Sequence, residues 1–163
     1  MRKVLCFLLA LLGLTSCRDT TPKGPPLALP TPASDGAYHF DTNSLYDLYR
    51  QNGREADRLL RGKTVVITGW VVQQYTSVEP DKEKLKKGER TPPDLYLHVD
   101  HKSNGFWLSS NGIICNFPES ARDSLRKLIK RLEYQEQVQV RGKVDGKLGS
   151  VFLKDCTLEK APH

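Results

Sequence analysis

The hydrophobic pattern divides the chain into an apolar start, a proline-rich segment and a domain of alternating and helical patterns. Residues 4–14 are apolar apart from Gly13, and they follow the basic pair Arg2 and Lys3. This run is shorter than the roughly 20 apolar residues that cross a bilayer. A basic flank followed by a short apolar run is typical of a secretory signal peptide.

Two segments have helical periodicity. Residues 41–61 carry apolar side chains near one helical face, with Thr42 or Asn43 as the predicted cap and Gly53 as a predicted break. Residues 118–132 place apolar side chains at i, i+3, i+4 and i+7: Leu125, Leu128, Ile129 and Leu132. We therefore predict an N-terminal helical segment in two pieces and a second helix late in the chain.

Five segments rich in alternating apolar residues predict strands. They are residues 64–75, 95–100, 113–117, 137–144 and 150–158, the last two joined by the turn DGKLG. Three strands, a helix and two strands is the order of an OB-fold. The expected fold class is therefore mainly β: a five-stranded OB-fold Greek-key barrel with a helix between strands 3 and 4. A generic α+β sandwich with the same elements is the alternative.

Two of these strands share one motif. Val65-x-Ile67-x-Gly69-x-Val71 recurs as Val138-x-Val140-x-Gly142-x-Val144. Alternate valines predict one buried face, and the central glycine permits a bulge or a sharp coil. Strands that curl to close a small barrel need a glycine or a bulge of this kind.

The segment between the apolar start and the domain predicts a lipid anchor. The stretch Leu14-Thr15-Ser16-Cys17 resembles a bacterial lipobox, in which the cysteine sulfur is acylated and the chain is cut before it. An ordinary signal peptide and a cytoplasmic protein with an apolar start are the alternatives. Residues 18–37 carry five prolines and few large apolar groups, so they favour an extended tether.

The expected organisation follows from these boundaries. Residues 1–16 form the signal, residues 17–37 the lipidated Cys17 and its tether, and residues 38–163 the N-terminal helix with the OB-fold domain. The expected location is the cell membrane or outer membrane, lipid-anchored and facing the periplasm or exterior. Arg18 follows the cysteine, where an aspartate would be a retention signal, so the sequence allows an outer-membrane location as well.

Cys115 and Cys156 are the remaining cysteines of the domain, because Cys6 leaves with the signal and Cys17 is acylated. They lie in predicted strands 3 and 5, which are neighbours in an OB-fold, and an extracytoplasmic location permits disulfides. A disulfide is one interpretation. Two reduced, buried cysteines that act as small apolar groups are the other.

Residues 52–159 resemble the tRNA-anti-like group of OB-fold proteins, which are often small bacterial lipoproteins. The segments that carry the resemblance are NGREADRLLRGKTVVITGWV, IICNF and VRGKVDGKLGSVFLKDCTLE. Two departures are Val144, where a small residue or cysteine is common, and a longer first loop over residues 78–94. The group is named nucleic-acid-binding by analogy to anticodon-binding domains, so the resemblance implies the fold more than the ligand.

OB-folds bind ligands on the face of strands 2 and 3. The candidate ligand-binding face comprises the aromatic and imidazole side chains in and around those strands: Trp70, Tyr75, Tyr96, His98, Phe106 and Trp107. Exposed aromatics of this kind stack on nucleic-acid bases. The alternative is that Trp70 packs under the N-terminal helix and Tyr96 lines the sheet.

Charge argues against a polyanion site. Removal of Arg2 and Lys3 with the signal lowers the formal net charge from +6 to +4. The first loop matches five cations with five acids, so it attracts phosphate weakly. The basic cluster lies on the second helix: Arg122, Arg126, Lys127, Lys130 and Arg131. A solvated face matched to the helix dipole and a contact with anionic membrane or envelope polymer both explain it.

No enzyme or metal site is expected. The run His98-Val-Asp100-His101 lacks a third ligand at a recognisable spacing, and no phosphate-binding glycine loop or activated serine motif is present. We expect a non-catalytic module without a cofactor that binds an envelope protein or glycan. Single-stranded nucleic acid is the alternative partner, disfavoured by location.

Overall fold

The computed structural model describes residues 26–72, 75–89, 91–98, 112–132 and 137–160. Its strands are β1 (Tyr38–Asp41), β2 (Thr64–Trp70), β3 (Asp94–His98), β4 (Gly112–Asn116), β5 (Gln137–Leu148) and β6 (Ser150–Lys160). Its helices are α1 (Thr42–Leu60), α2 (Lys82–Lys86) and α3 (Arg122–Arg131), the last preceded by a 3-10 turn at Glu119–Ala121.

The strands form one mixed six-stranded sheet in the order β1-β2-β5-β6-β4-β3. β1 runs parallel to β2, and β4 runs parallel to β6, while the remaining pairs are antiparallel. With its helices, the protein is a mixed α/β fold. The ladder leaves β1 and β3 as edges, so the sheet is open rather than the closed five-stranded barrel expected from the sequence.

Among the five strands predicted from the sequence, β2 and β3 lie at opposite edges of the sheet, and the chain near Val71 brings them together. Val71, directly after β2, forms an isolated antiparallel bridge with Leu97 of β3. The Val72 amide also donates to the Tyr96 carbonyl at 2.9 Å. The chain therefore curls far enough for the residues that follow β2 to contact β3.

Helix α1 begins and bends at side chains that accept hydrogen bonds from backbone amides. The Asp41 carboxylate accepts from the Ser44 amide at 2.9 Å, so Asp41 is the cap, and the prediction of Thr42 or Asn43 is wrong by one or two residues. Asn52 has non-helical angles of φ −156° and ψ 83°, and its side chain accepts from the Glu55 amide. The kink thus falls one residue before Gly53, because Asn52 caps the second helical piece.

The core lies between the concave side of the sheet and the helices. Leu45 and Leu60 of α1 and Leu125 of α3 pack with the inward side chains of the strands. A Cβ at Gly69 would lie 2.3 Å from Thr42 Cγ2, so this glycine lets the start of α1 approach β2. The glycine in the first of the two repeated motifs therefore serves helix packing.

The glycine of the second motif lies at a bulge. The β5–β6 register shifts between Arg141 and Lys143, and Asp155 on β6 has a positive φ of 53°. The extra residue turns Cys156 to the inner face, where a Cβ at Gly142 would come within 2.7 Å of its sulfur. Gly142 therefore makes room for a buried thiol.

Part of the predicted tether contacts the domain. Leu27 and Leu29 are partly buried against the core, and Asp35 forms an ion pair with Arg141. Residues 17–25 lie outside the described residues. Within the described part of the chain, no helix combines the length and the apolar character needed to cross a bilayer.

Candidate binding face

The outer side of the sheet carries one apolar row across three strands. Tyr96 on β3 lies opposite Ile114 on β4, which lies opposite Phe152 on β6. Inward neighbours such as Leu95 and Leu97 are fully buried, whereas Ile114 and Phe152 are half-buried. Because side chains alternate along a strand, this row faces away from the core.

Tyr75 covers the end of this row. Its ring centroid lies 5.2 Å from that of Tyr96 with the planes tilted by 58°, a favourable aromatic geometry. Tyr75 is 54% exposed and Tyr96 only 6%. The two tyrosines therefore form a tilted aromatic pair whose outer ring, Tyr75, is half exposed, and burial raises the pKa of the inner Tyr96 hydroxyl.

A glycine holds the inner ring in place. A Cβ at Gly112 would lie 2.4 Å from Tyr96 Cζ and 2.6 Å from its Cε1 and hydroxyl oxygen. The ring thus lies in a notch that only glycine leaves open. We call the surface formed by Tyr75, Tyr96, Ile114 and Phe152 the aromatic face.

The β5–β6 hairpin borders the aromatic face at one end. Leu148 at its tip is 86% exposed, and the ammonium of Lys147 lies 4.2 Å from the ring centroid of Tyr46 on α1. This is cation–π distance, so Lys147 is held toward the helix. The hairpin turns at Gly149, whose φ is 74°, rather than across the whole DGKLG segment.

The charges beside the aromatic face are neutralised by neighbours. Arg141 pairs with Asp35 and Glu159, Lys143 with Asp155 at 3.3 Å, and Lys154 with Asp145 at 2.7 Å. Hydrogen bonds from Arg141 and Lys154 lower the pKa of Asp35 and Asp145 respectively. The outer side of β5 and β6 therefore presents a balanced surface, which attracts polyanions weakly.

Two of the five cations in the predicted basic cluster hold the first loop. The buried Arg122 donates to the carbonyls of Val78 and Thr91 and pairs with Glu119. Arg126 pairs with Glu79 at 2.6 Å. The interpretation of this cluster as a uniformly solvated face is therefore incomplete, because Arg122 and Arg126 fasten residues 78–91 to α3.

The structure brings together only part of the candidate face predicted from the sequence. Tyr75 and Tyr96 are in contact, and the half-buried Trp70 precedes the Val71–Leu97 bridge and so lies near β3. Phe106, Trp107 and Cys17 lie outside the described residues, as does the side chain of His98. The role of each remains a prediction.

The sequence did not predict a role for Ile114, Phe152 or Gly112. Both apolar residues occupy the outward positions of strands whose inward neighbours were predicted to be buried, and this alternation was the available signal. The notch at Gly112 had no such signal, because it depends on where the Tyr96 ring lies across the strand.

A separate groove of about 450 Å³ lies at the β1 edge. Its lining combines apolar Ala28, Pro30 and Leu48 with Asp41 and Ser44. The Asp41 carboxylate already caps α1 and accepts from the Ser44 hydroxyl at 2.6 Å. In the described ranges, no three His, Cys, Asp or Glu side chains lie together as a metal site.

Cys115 and Cys156 carry free, fully buried thiols in this structure. Burial raises the pKa of Cys115 well above its ordinary value, and the hydrogen bond with Cys156 and the negative charge of Asp94 act in the same direction. The bulge at Asp155 places the two thiols side by side. The disulfide stays a prediction, for which this proximity is the first requirement.

We expect the stability of the protein to depend on pH differently when Cys115 and Cys156 are reduced and when they form a disulfide. The raised pKa of Cys115 means that its reduced thiol contributes its full stability below the pKa of the unfolded thiol, about 8.5, and loses it as the pH rises further. We expect the urea midpoint of the reduced protein to fall from about pH 8 to about pH 10. The urea midpoint of protein treated with oxidised glutathione should fall less over this pH range. An equal fall in both samples would contradict the disulfide.

A solved structure resembles this chain in its fold. No protein-family model and no curated protein sequence matches the chain. A crystal structure described as a "putative nucleic acid-binding lipoprotein" from Klebsiella pneumoniae superposes with a TM-score of 0.52 at 12% sequence identity. The match covers 80% of this chain and 100% of that one. At this identity, the likeness concerns the fold alone.

Proposed function

We propose that this protein is a lipid-anchored, extracytoplasmic binding module with a non-catalytic role at the cell envelope. Its partner is a protein or a glycan, bound on the aromatic face. The observation that carries the proposal is the tilted Tyr75–Tyr96 ring pair at the end of the row Tyr96, Ile114 and Phe152. An exposed ring above a half-buried apolar row suits stacking on a sugar or packing on an apolar side chain.

We further propose that β2 to β6 form a partly open OB-fold barrel, in which the Val71–Leu97 bridge brings the two edges together. The parallel β4–β6 pair and the strand order β2-β5-β6-β4-β3 support this topology. On such a barrel the aromatic face occupies the usual ligand surface, between the first loop and the β5–β6 hairpin. β1 then extends the barrel at β2.

The anchor is proposed from the lipobox-like stretch that ends at Cys17. Two acyl chains hold a protein firmly at a membrane, whereas one holds it marginally. Metabolic labelling with a palmitate analogue tests this step, and Cys17→Ser should abolish the label. Label retained in Cys17→Ser would contradict it.

Truncation of Tyr75 tests the binding face. In a titration with soluble peptidoglycan fragments, we expect Tyr75→Ala to weaken binding by about tenfold, or about 1.4 kcal/mol, as for an exposed aromatic at the centre of an interface. Tyr75→Phe keeps the ring and should retain the affinity. Because Tyr75 is half exposed, neither variant should alter the melting temperature appreciably. Equal affinities for Tyr75→Ala and the unsubstituted protein would exclude this face as the glycan site.

Single-stranded nucleic acid is the second candidate partner, favoured by the description of the Klebsiella pneumoniae relative. An exposed aromatic ring such as Tyr75 can stack on a base, but the paired charges of β5 and β6 give little attraction for phosphate. Fluorescence anisotropy with labelled single-stranded RNA at low and near-physiological salt separates the candidates. Tight binding that weakens steeply with salt and is lost in Tyr75→Ala would favour nucleic acid.

A further inference from the structure

Strand β1 leaves one edge of the sheet open. It pairs with β2 along one side, and within the described residues no backbone group bonds to its other side. Proteins protect a sheet edge with lysine, proline or a bulge, and the four residues Tyr38–Asp41 contain none of these. The backbone groups on the open side of β1 can therefore pair with a further strand.

The groove of about 450 Å³ gives a further strand access to this edge. Its lining includes three of the four β1 residues, His39, Phe40 and Asp41, together with apolar Pro30 and Leu48. No described backbone hydrogen bond joins the segment around Pro30 to β1. A strand that approaches β1 would therefore meet it at the groove.

The exposed side chains of β1 lie on one side of the strand. His39 and Asp41 are exposed, whereas Phe40 between them is 8% exposed and packs in the core. Residues two apart in a strand point to the same side, so the imidazole and the carboxylate are neighbours along the edge. The Asp41 carboxylate accepts from the amide and the hydroxyl of Ser44, and a carboxylate has acceptor sites beyond these two.

This arrangement is complementary to itself in an antiparallel pair. When two copies of β1 pair about a two-fold axis at Phe40, His39 of each copy lies opposite Asp41 of the other. An imidazole has an N–H to donate to a carboxylate in both of its protonation states. The axis repeats each contact, so one pairing gives two hydrogen bonds between side chains.

Two other acids close to β1 are held within their own chain. A hydrogen bond from Arg141 is the main cause that lowers the pKa of Asp35, and His39 makes the smallest contribution. Asp47 pairs with Arg50 at 3.1 Å. Asp41 is therefore the acid best placed to receive His39 of a second copy.

We infer that β1 pairs with β1 of a second copy across a two-fold axis, with His39 and Asp41 as reciprocal contacts. The two sheets then continue into one another, and both aromatic faces stay free because they lie on β3, β4 and β6. The dimer would thus present two ligand sites. Four residues a side make a small interface, so we expect a dissociation constant of about 100 µM. The inference requires neither the lipid anchor nor the aromatic face.

Sedimentation equilibrium of the full chain in a neutrally buoyant detergent, with reductant present, measures this association. We expect a change from monomer to dimer between about tenfold below and about tenfold above the expected dissociation constant. His39→Glu should weaken the dimer by about tenfold or more, since it places acid opposite acid. His39→Lys should retain it, and Ser124→Glu, which adds the same charge on the exposed side of α3, should leave it unchanged.

Asp41→Asn separates the contact between copies from the cap of α1. Asparagine caps a helix as well as aspartate does, so the melting temperature should stay nearly the same. The loss of the charged acceptor should weaken the dimer by about threefold. His39 is exposed, so its variants should also melt with the unsubstituted protein.

Hydrogen exchange locates the contact on the sheet. Amides within Tyr38–Asp41 should exchange more slowly in concentrated protein than in dilute protein, whereas those of β3, the other edge, should not change. A monomer at every concentration would overturn the inference and leave the β1 edge to a strand of another protein. So would slower exchange at β3, or a dimer that His39→Glu leaves intact, which would assign association to the apolar residues 4–14. None of these variants alters Cys17 or Tyr75, so failure here is distinguishable from failure of the proposed function.

Discussion

Replacement of Arg122 with alanine is expected to destabilise the protein by about 3 kcal/mol, because buried carbonyls lose their donor. The Arg122 residue is 8% exposed, and its guanidinium donates to the carbonyl of Thr91 at 2.5 Å and to that of Val78. Each buried group left without a partner costs about 1–3 kcal/mol. The pairing with Glu119 adds less, since that carboxylate is 68% exposed.

The measurement is the free energy of unfolding in urea, with Arg126→Ala as the matched control. Arg126 also joins α3 to the loop, but its partner Glu79 is 70% exposed, so its loss should change the midpoint little. Hydrogen exchange should show faster exchange of residues 77–91 in Arg122→Ala. Equal, small effects of the two alanine variants would show that Arg122 does not fasten the loop.

Replacement of Gly142 with alanine is expected to cost about 2 kcal/mol, because an added methyl group overfills the core. The new Cβ would lie 2.7 Å from the Cys156 sulfur and 3.3 Å from both Leu153 Cβ and the Lys154 carbonyl oxygen. All three neighbours belong to the β6 backbone or to a fully buried side chain, so they have little freedom to move.

A second substitution identifies the source of this strain. Cys156→Ala removes the atom closest to the new Cβ. It should therefore lower the free energy of unfolding less in the Gly142→Ala background than in the unsubstituted protein, and a double-mutant cycle measures this coupling. Gly53→Ala is the control, since no atom lies within 4 Å of its added Cβ. It should be neutral or slightly stabilising, as for a helical glycine. Additive effects of the Gly142 and Cys156 changes would contradict the close packing of the bulge.

The sequence predicted those elements whose signal is local and repeated. Alternate valines identified β2 and β5, and leucines at helical spacing identified α3, since each pattern directly reports which side is buried. β1 was missed because its four residues are a strand only through pairing with β2. The α2 helix was missed because five residues give no helical period.

A count of charges cannot show which of them pair, for a related reason. The first loop contains five cations and five acids, but only the structure shows that Glu79 pairs with Arg126, 47 residues away. The candidate face was predicted in part, since alternation directs Tyr96 outward. Its contact with Tyr75 depends on how the chain curls after β2, which local pattern does not encode.

Mapping of the ligand site by two-dimensional NMR tests the central claim most directly. Soluble peptidoglycan fragments, titrated into isotopically labelled protein, should perturb resonances of Tyr75, Tyr96, Ile114 and Phe152 and leave those of residues 82–87 unchanged. A parallel titration with single-stranded RNA should perturb neither group. If RNA shifts the aromatic face while the fragments do not, the glycan assignment is wrong and the protein is a nucleic-acid binder.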